Sequence, residues 1–142
     1  MNDSRKKQST AERPNDNDNV ELSFPVNSAY VSAARLTASS IANRIGFDAD
    51  EIEDVKAAVS EACIFIIKNA PSHENAMFKV RFFILDSAVT IDFICSQRFK
   101  KINDEEEMGL LMIRALTDEM NIDINGEFKL TMKKRHKNYD FI

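Results

Sequence analysis

The chain has 142 residues, a net charge of −4, 44% hydrophobic residues and 30% charged residues, values that are ordinary for one globular domain. This charge gives no sign of a nucleic-acid-binding surface, no apolar run is long enough to span a bilayer, and the N-terminus lacks the apolar core of a signal peptide. We therefore expect a cytoplasmic protein that binds neither nucleic acid nor membrane. No CxxC or Cys/His cluster suggests a metal site, and we expect Cys63 and Cys95 to be buried free thiols.

Residues 1–19 contain almost no large apolar side chain, so we expect a disordered leader, followed by a single domain over residues 20–142. A short strand is predicted over residues 20–24. Asn27 or Ser28 can cap a first helix that runs to Ile45. Six residues with helical spacing are predicted to form its inner face: Ala33, Ala34, Leu36, Thr37, Ile41 and Ile45.

The second helix has the clearest sequence signals. Gly46 ends the helix before it, and Asp48 followed by Glu51 has the spacing of a capping box. Pro71 stops the second helix. Seven apolar residues follow helical spacing and are predicted to face the core: Ile52, Val55, Val59, Ala62, Cys63, Ile66 and Ile67.

The second half of the chain alternates between strand and helix patterns. Strands are predicted over residues 77–85 and 89–95, with Asp86–Ser87 as their turn, and over 120–124 and 127–133, joined by Asn125–Gly126. A loop over residues 96–107 precedes a third helix over 108–119. Its predicted inner face comprises Met108, Leu111, Met112, Ala115 and Leu116.

This order of elements predicts an α+β fold: a two-layer sandwich with a mainly antiparallel sheet and helices packed on one face. The basic stretch Lys133–Lys137 is interpreted as a solvated strand end.

Three segments carry a resemblance to a known family: YVSAARLTASSIANRIGF, IEDVKAAVSEAC and MGLLMIRALTDEMNI. Together they resemble the anti-sigma factor kinases of Gram-positive bacteria, which share the GHKL, or histidine-kinase-like, ATPase fold. The resemblance spans residues 20 to about 135. It implies that fold, ATP and magnesium as ligands, and a sigma factor or an anti-sigma antagonist protein as partner. It also implies a homodimer, or a heterodimer with a paralogue.

The family's nucleotide-binding helix carries a glutamate that polarises the attacking hydroxyl and, four residues later, an asparagine that binds magnesium. The resemblance places Glu61 at the glutamate and Phe65 at the asparagine, with Asn69 one turn further on. Phe65 has no oxygen to offer to magnesium, which requires oxygen ligands in near-octahedral geometry. Glu61 is thus the catalytic candidate that the resemblance implies, and we expect it to be vestigial.

At the family's other nucleotide-contacting positions, this chain also differs from the family pattern. Counting back from Phe99, Ile94 and Ser96 take the places of an aspartate that receives adenine and of its glycine, with Asp92 two residues early. Gly109 matches one glycine of the phosphate-cradling segment and is the candidate cofactor-binding residue. Lys133 stands at a late-strand threonine, with Thr131 nearby.

Helical geometry places Phe65 roughly 120° from the centre of the core stripe of its helix. We predict that it fills the space of the nucleotide, against Ile94. The alternative is a broadened apolar face beneath the loop that follows the third strand.

The leading prediction is an anti-sigma-factor-like regulator that acts by protein–protein binding and has lost ATP binding. The resemblance assigns its partner-binding surface to the first helix, around Arg35. The alternative is a serine protein kinase that uses ATP and magnesium, with Glu61 as base. A third reading is a non-catalytic dimerisation partner for an intact paralogue.

Overall fold

Strands and helices follow each other in the predicted order. The computed structural model describes residues 18–71, 75–97, 99 and 107–137, so most of the predicted leader over residues 1–19 lies outside the described residues. The strands are β1 (Asn19–Pro25), β2 (Met77–Leu85), β3 (Ala88–Cys95), β4 (Glu119–Asp123) and β5 (Phe128–Arg135). The helices are α1 (Val31–Ile45), preceded by a 3-10 turn (Ser28–Tyr30), α2 (Ala49–Asn69) and α3 (Met108–Leu116).

The strands form one antiparallel sheet in the order β1-β2-β3-β5-β4. Alternation along the central strands separates the two faces of the sheet. Val80, Phe93 and Leu130 lie in one row and are fully buried in the core that the helices share. Arg81 and Asp92 lie in the next row, on the face that no described helix covers. The predicted two-layer α+β sandwich is therefore confirmed.

Both predicted hairpins are present. Asp86 and Ser87 connect β2 to β3 with φ values of 50° and 61°, the left-handed conformations that a two-residue hairpin turn requires. Asn125–Gly126 lies between the antiparallel strands β4 and β5.

The inner face of α1 differs from the prediction. Its buried side chains are Ala34, Ala38, Ile41 and Ala42, which recur every three to four residues. Leu36 is 68% exposed and Ala33 is exposed, so their assignment to the inner face was wrong. Because Leu36 is two residues from Ala34, it lies about 200° around the helix axis from it. Small side chains form most of the buried stripe, and the larger leucine points to solvent.

The capping box of α2 is present and extends into a longer-range contact. The N–H of Glu51 donates to Asp48 Oδ1 at 2.8 Å, and the N–H of Asp48 donates to Glu51 Oε1 at 2.9 Å. Glu51 Oε1 also lies 2.7 Å from Nδ1 of His136, and its Oε2 accepts the N–H of Lys137 at 2.6 Å. We call this group of contacts the Glu51 clamp, because it holds the chain after β5 against the start of α2.

The C-terminal end of β5 is consequently not a fully solvated strand end. Lys134 Nζ donates to the carbonyl of Leu116 at 2.9 Å, the His136 ring stacks on Phe47 with centroids 5.9 Å apart, and Lys137 Nζ pairs with Asp48 at 2.7 Å. The interpretation of Lys133–Lys137 as solvated was wrong for Lys134 and His136, whose side chains are largely buried against the end of α3 and the start of α2, while Lys137 is exposed.

The environment of Glu51 lowers the pKa of its carboxyl group. Burial by itself raises this pKa, but hydrogen bonds from the Asp48 and Lys137 N–H groups and from His136 outweigh it. A carboxyl group whose pKa is depressed in the folded state contributes stability above its unfolded pKa and loses that contribution as the pH falls through the folded value.

We predict that Glu51→Gln lowers the free energy of unfolding at pH 7 by about 1–3 kcal/mol, because it removes the charge that three donors share. Below the ordinary glutamate pKa of 4.5 the difference from the wild type should shrink. Urea unfolding at pH 7 and at pH 3 measures both. Glu53→Gln, an exposed glutamate of the same helix, is the control. A pH-independent difference would contradict this account of the clamp.

The burial of α3 is also different from the prediction. Leu110 and Ile113 are fully buried, whereas Met108 is 69% exposed and Leu111 and Met112 are exposed too. The assignment of Met108, Leu111, Met112 and Ala115 to the inner face was therefore wrong. Nearly every residue of this helix is apolar, so the periodicity of its apolar residues does not select a face.

The end of α3 comes three residues before the predicted one. The N–H of Thr117 still bonds to the carbonyl of Ile113, and Glu119 already pairs with Lys133 as the first residue of β4.

Adjacent leucines of α3 allow a direct test of this orientation. We predict that Leu110→Ala lowers the free energy of unfolding by about 2–5 kcal/mol, because it leaves a cavity in the core. Leu111→Ala removes the same atoms from an exposed position and should cost less than about 1 kcal/mol. Chemical denaturation of both variants measures the difference. Equal losses, or a larger loss for Leu111→Ala, would contradict the assignment of the buried face.

Candidate functional site

The side of α2 that faces α3 holds the first candidate residues together. Glu61 is partly buried and lies against the first turn of α3. A methyl group placed on Gly109 would lie only 2.9 Å from Glu61 Oε2. Gly109 thus makes room for the carboxylate, which lies near the positive end of the helix dipole of α3. The two residues that the resemblance assigns to catalysis and cofactor binding are neighbours.

One turn along α2, Phe65 is buried, with 3% of its surface exposed. Its ring lies 5.7 Å from that of Phe128 and 6.4 Å from that of Phe99. Phe99 and Phe128 stack on each other with centroids 4.2 Å apart and planes inclined by 14°. We call these three residues the aromatic cluster. It joins the C-terminal half of α2 to the segment after β3 and to the start of β5.

The predicted contact of Phe65 with Ile94 was wrong. Ile94 pairs in register with Lys79 and Lys129, on the sheet face opposite the helices. Successive side chains of a strand point to opposite faces, and the helix-facing residue at this end of β3 is Cys95. Cys95 is fully buried and its thiol donates to the carbonyl of Met77 at 3.6 Å.

Asp92 also lies on the face away from the helices. It accepts a hydrogen bond from Thr131 Oγ1 at 2.8 Å and lies 3.8 Å from Lys129 Nζ. Thr131 and Lys133 share this face, since they pair in register with Asp92 and Thr90. A side chain that contacts a ligand held between the sheet and the helices has to project from the opposite face. These residues are therefore not placed to contact such a ligand.

Asn69 is occupied at the end of α2. Its Nδ2 donates to the carbonyl of Phe65 at 2.9 Å, within the last turn of the helix. Glu107, the residue before α3, forms an ion pair with Lys68 at 3.7 Å and makes no capping hydrogen bond to α3.

Arg35 lies apart from Glu61 and Gly109. It is exposed on α1, and no described carboxylate lies within ion-pair distance of it. The site predicted from the sequence therefore separates into two regions, a pair on α2 and α3 and an arginine on the outer face of α1.

Neither cysteine is placed for chemistry. Both are buried free thiols, as predicted, and burial raises the pKa of Cys63 to about 12, so its thiol is protonated at neutral pH.

Within residues 18–71, 75–97, 99 and 107–137, no group of three or more His, Cys, Asp or Glu side chains could hold a metal ion. In the same part of the chain, no helix is both long and apolar enough to cross a membrane.

Part of the aromatic cluster can be recognised in the sequence. The alternation of Phe128, Leu130 and Met132 predicts that Phe128 lies on the core face of the last strand, but nothing local connects it to Phe65, more than sixty residues earlier. The pairing of Cys95 with Phe128 brings the end of β3 and the start of β5 together and places Phe99 near the same point.

Comparison with known proteins gives the class of protein. The model of the histidine kinase-like ATPase domain matches residues 24–134, so the chain belongs to the histidine kinase-like ATPase family. Among its relatives are the serine-protein kinase RsbW of Bacillus velezensis, 29% identical over 82% of this chain and 85% of the relative, and RsbW of Bacillus thuringiensis, 31% identical over 72% and 76%. These relatives confirm the predicted resemblance to the anti-sigma factor and serine-protein kinase family.

Solved structures agree on the fold. The RsbU and RsbW domains of a Mycobacterium tuberculosis protein superpose with a TM-score of 0.67 at 19% identity, covering 82% of this chain and 32% of that one. The Acinetobacter baumannii histidine kinase AdeS superposes with a TM-score of 0.52 at 12% identity, covering 96% of this chain and 77% of that one. At these identities the likeness concerns the fold alone.

The aromatic cluster can be tested by stability. We predict that Phe65→Ala lowers the free energy of unfolding by about 3–5 kcal/mol, because it leaves a cavity beside Phe99 and Phe128. The exposed residue Ile64 precedes Phe65 on the same helix, so Ile64→Ala is the matched control and should cost less than about 1 kcal/mol. A cost for Phe65→Ala no greater than that of the control would show that the cluster does not stabilise the fold.

Proposed function

We propose that this chain is an anti-sigma-factor-like regulatory protein that binds a sigma factor or its antagonist and has lost ATP binding. The observation that carries the proposal is the burial of Phe65 in the aromatic cluster, at the position where the resemblance expects a magnesium ligand. Three packed aromatic rings supply hydrocarbon where a nucleotide site requires oxygen ligands and space for phosphates.

The orientation of β3 supports the loss of base recognition. A nucleotide base held between the sheet and α2 would be recognised by a polar side chain on the helix-facing side of the strand end. That position belongs to Cys95, a fully buried thiol whose pKa burial raises. The polar Asp92 lies on the other face and is bonded to Thr131.

The positions of the glycines also support the loss of nucleotide binding. The chain has three, and Gly46 ends α1 with φ of 100° while Gly126 lies in the β4–β5 hairpin. The remaining one, Gly109, faces the carboxylate of Glu61, whose negative charge would repel a phosphate at the same helix end. A backbone cradle for polyphosphate normally needs several glycines in one segment.

The partner-binding surface that we propose is the exposed side of α1 around Arg35. Binding there needs no chemistry, because it only has to cover a surface of the partner. A homodimer or a heterodimer with a paralogue is compatible with this role. On this proposal Glu61 is vestigial as a catalytic group and acts by packing against α3.

The alternative function is a serine protein kinase that transfers the γ-phosphate of ATP to a serine of an antagonist protein. Two observations favour it: Glu61 is retained, and the RsbW relatives carry the name serine-protein kinase. On this alternative Glu61 accepts the proton of the serine hydroxyl, and ATP with magnesium is required.

Binding measured without nucleotide tests the proposal. The purified chain should bind the sigma factor or the antagonist of its own genome equally well with and without ATP and magnesium in isothermal titration calorimetry. Arg35→Glu should weaken that contact by about 10- to 100-fold, the effect of reversing an interface arginine. Lys68→Glu, an exposed cation on α2, is the control.

A phosphate-transfer assay with the same proteins separates the two functions. On our proposal the antagonist stays unphosphorylated when it is incubated with the chain, ATP and magnesium. Phosphorylation that Glu61→Gln abolishes would establish the kinase instead. If neither protein binds, the regulatory proposal is wrong.

A further inference from the structure

The geometry of the fold requires a glycine at two of the chain's three glycine positions, but not at the third. Gly46 has a φ of 100°, and a methyl group on Gly109 would lie 2.9 Å from Glu61 Oε2. Gly126 has neither property. Its φ lies outside the left-handed region, and nothing lies within 4 Å of the position that a Cβ would take. Backbone conformation and packing therefore give no reason for a glycine in this loop.

The residue before Gly126 is equally unconstrained. Asn125 is exposed, and its φ also lies outside the left-handed region that asparagine tolerates better than most residues. Its N–H donates to Asp123 Oδ1 at 2.9 Å, so this contact uses the main chain and not the side chain. Among the described residues, neither the side-chain amide of Asn125 nor the N–H of Gly126 makes a hydrogen bond. Both groups are therefore available to react with each other.

An asparagine followed by a glycine is the pair in which this reaction is least hindered. The glycine nitrogen can approach the side-chain carbonyl carbon of the asparagine because no Cβ on the glycine obstructs it. Asn125 is the one asparagine of the sequence that precedes a glycine. Asn121, in the neighbouring strand β4, precedes the β-branched Ile122. The reactive pair thus lies at an exposed loop tip, where a local change of the main chain is best tolerated.

We propose that Asn125 is a site of spontaneous covalent modification, in which water replaces the side-chain amide. The nitrogen of Gly126 attacks Cγ of Asn125 and forms a new C–N bond. The amide group leaves as ammonia with the proton of that nitrogen, and a succinimide ring remains. Water then opens the ring: cleavage of the bond from nitrogen to Cγ gives aspartate, and cleavage of the bond from nitrogen to the main-chain carbonyl carbon gives isoaspartate.

Both products change the loop that leads into β5. Each adds a carboxylate between the exposed residues Asp123 and Glu127, so the net charge becomes one unit more negative than −4. Isoaspartate also lengthens the main chain by a methylene group, close to Phe128 of the aromatic cluster. We expect the isoaspartate form to be less stable than the aspartate form, because the longer loop alters the path by which Phe128 enters the sheet.

Incubation of the purified full chain at neutral pH, followed by mass spectrometry of its tryptic peptides, tests the proposal. Asn121 and Asn125 lie on the same peptide, residues 115–129, so Asn121 is an internal control. Replacement of NH2 by OH should accumulate at Asn125 and not at Asn121. A free peptide with the sequence of residues 123–128 shows the rate without the fold. Equal modification of both asparagines, or an intact Asn125 in the chain while the peptide is modified, would overturn the proposal.

Two variants separate the chemistry from the fold. Gly126→Ala adds a methyl group in open space, so the chain should fold as before. Its modification should be slower by about 10-fold, because the methyl group hinders the attacking nitrogen and raises the barrier. Asn125→Gln keeps an amide but requires a larger ring, and it should stay unmodified. An unchanged rate in Gly126→Ala would overturn the proposed attack by the Gly126 nitrogen.

Urea unfolding of the separated products tests the effect on the aromatic cluster. The aspartate form should unfold like the variant Asn125→Asp and close to the wild type, because the new charge lies in an exposed loop. The isoaspartate form should unfold at a lower urea concentration than both. Equal midpoints for the two products would show that the loop absorbs the added methylene group, and would overturn the link to Phe128.

Discussion

The packing of Phe65 against Phe99 and Phe128 holds α2 against the sheet at the end where a nucleotide would be expected. At the other end of the same helix, the Glu51 clamp ties its first turn to the chain after β5. A helix held at both ends has little freedom to shift. The neighbouring α3, which meets α2 through Glu61 and Gly109, takes its position from it.

The two anchors have different physical origins. The aromatic cluster depends on burial of apolar surface and on ring packing, so neither titration nor the screening of charges by salt weakens it. The Glu51 clamp depends on a charged carboxylate, so acid weakens it. The aromatic cluster accounts for an apolar residue on the ligand side of α2, and the Glu51 clamp accounts for a basic chain end that is bonded rather than solvated.

Much of the fold follows from the sequence. The bounds of α2 were predictable because its period, its capping box and Pro71 agree, and the strands because their alternation is regular. The orientations of Leu36 and Met108 were not predictable from the sequence, because α1 buries mainly small residues and α3 is apolar on nearly all sides. The face of the sheet on which Ile94 lies was predictable from the alternation of side chains along β3. Phe93 and Cys95 are on the core face, so Ile94 between them is on the opposite face.

The candidate site was less predictable for a different reason. Its decisive contact joins residues far apart in the chain, Phe65 with Phe128. Comparison of the sequence with a family motif proceeds position by position, so it reveals that Phe65 differs from the asparagine of the motif. It does not reveal what the departing side chain contacts. The structure supplies that contact, and with it the physical reason why we place function on the surface of α1.

The most direct test of the central claim is calorimetric titration of the chain with ATP and magnesium. Our account predicts no detectable heat of binding up to millimolar nucleotide, because the aromatic cluster occupies the space and offers no oxygen ligand. Micromolar binding that depends on magnesium and is lost in Glu61→Ala would contradict it.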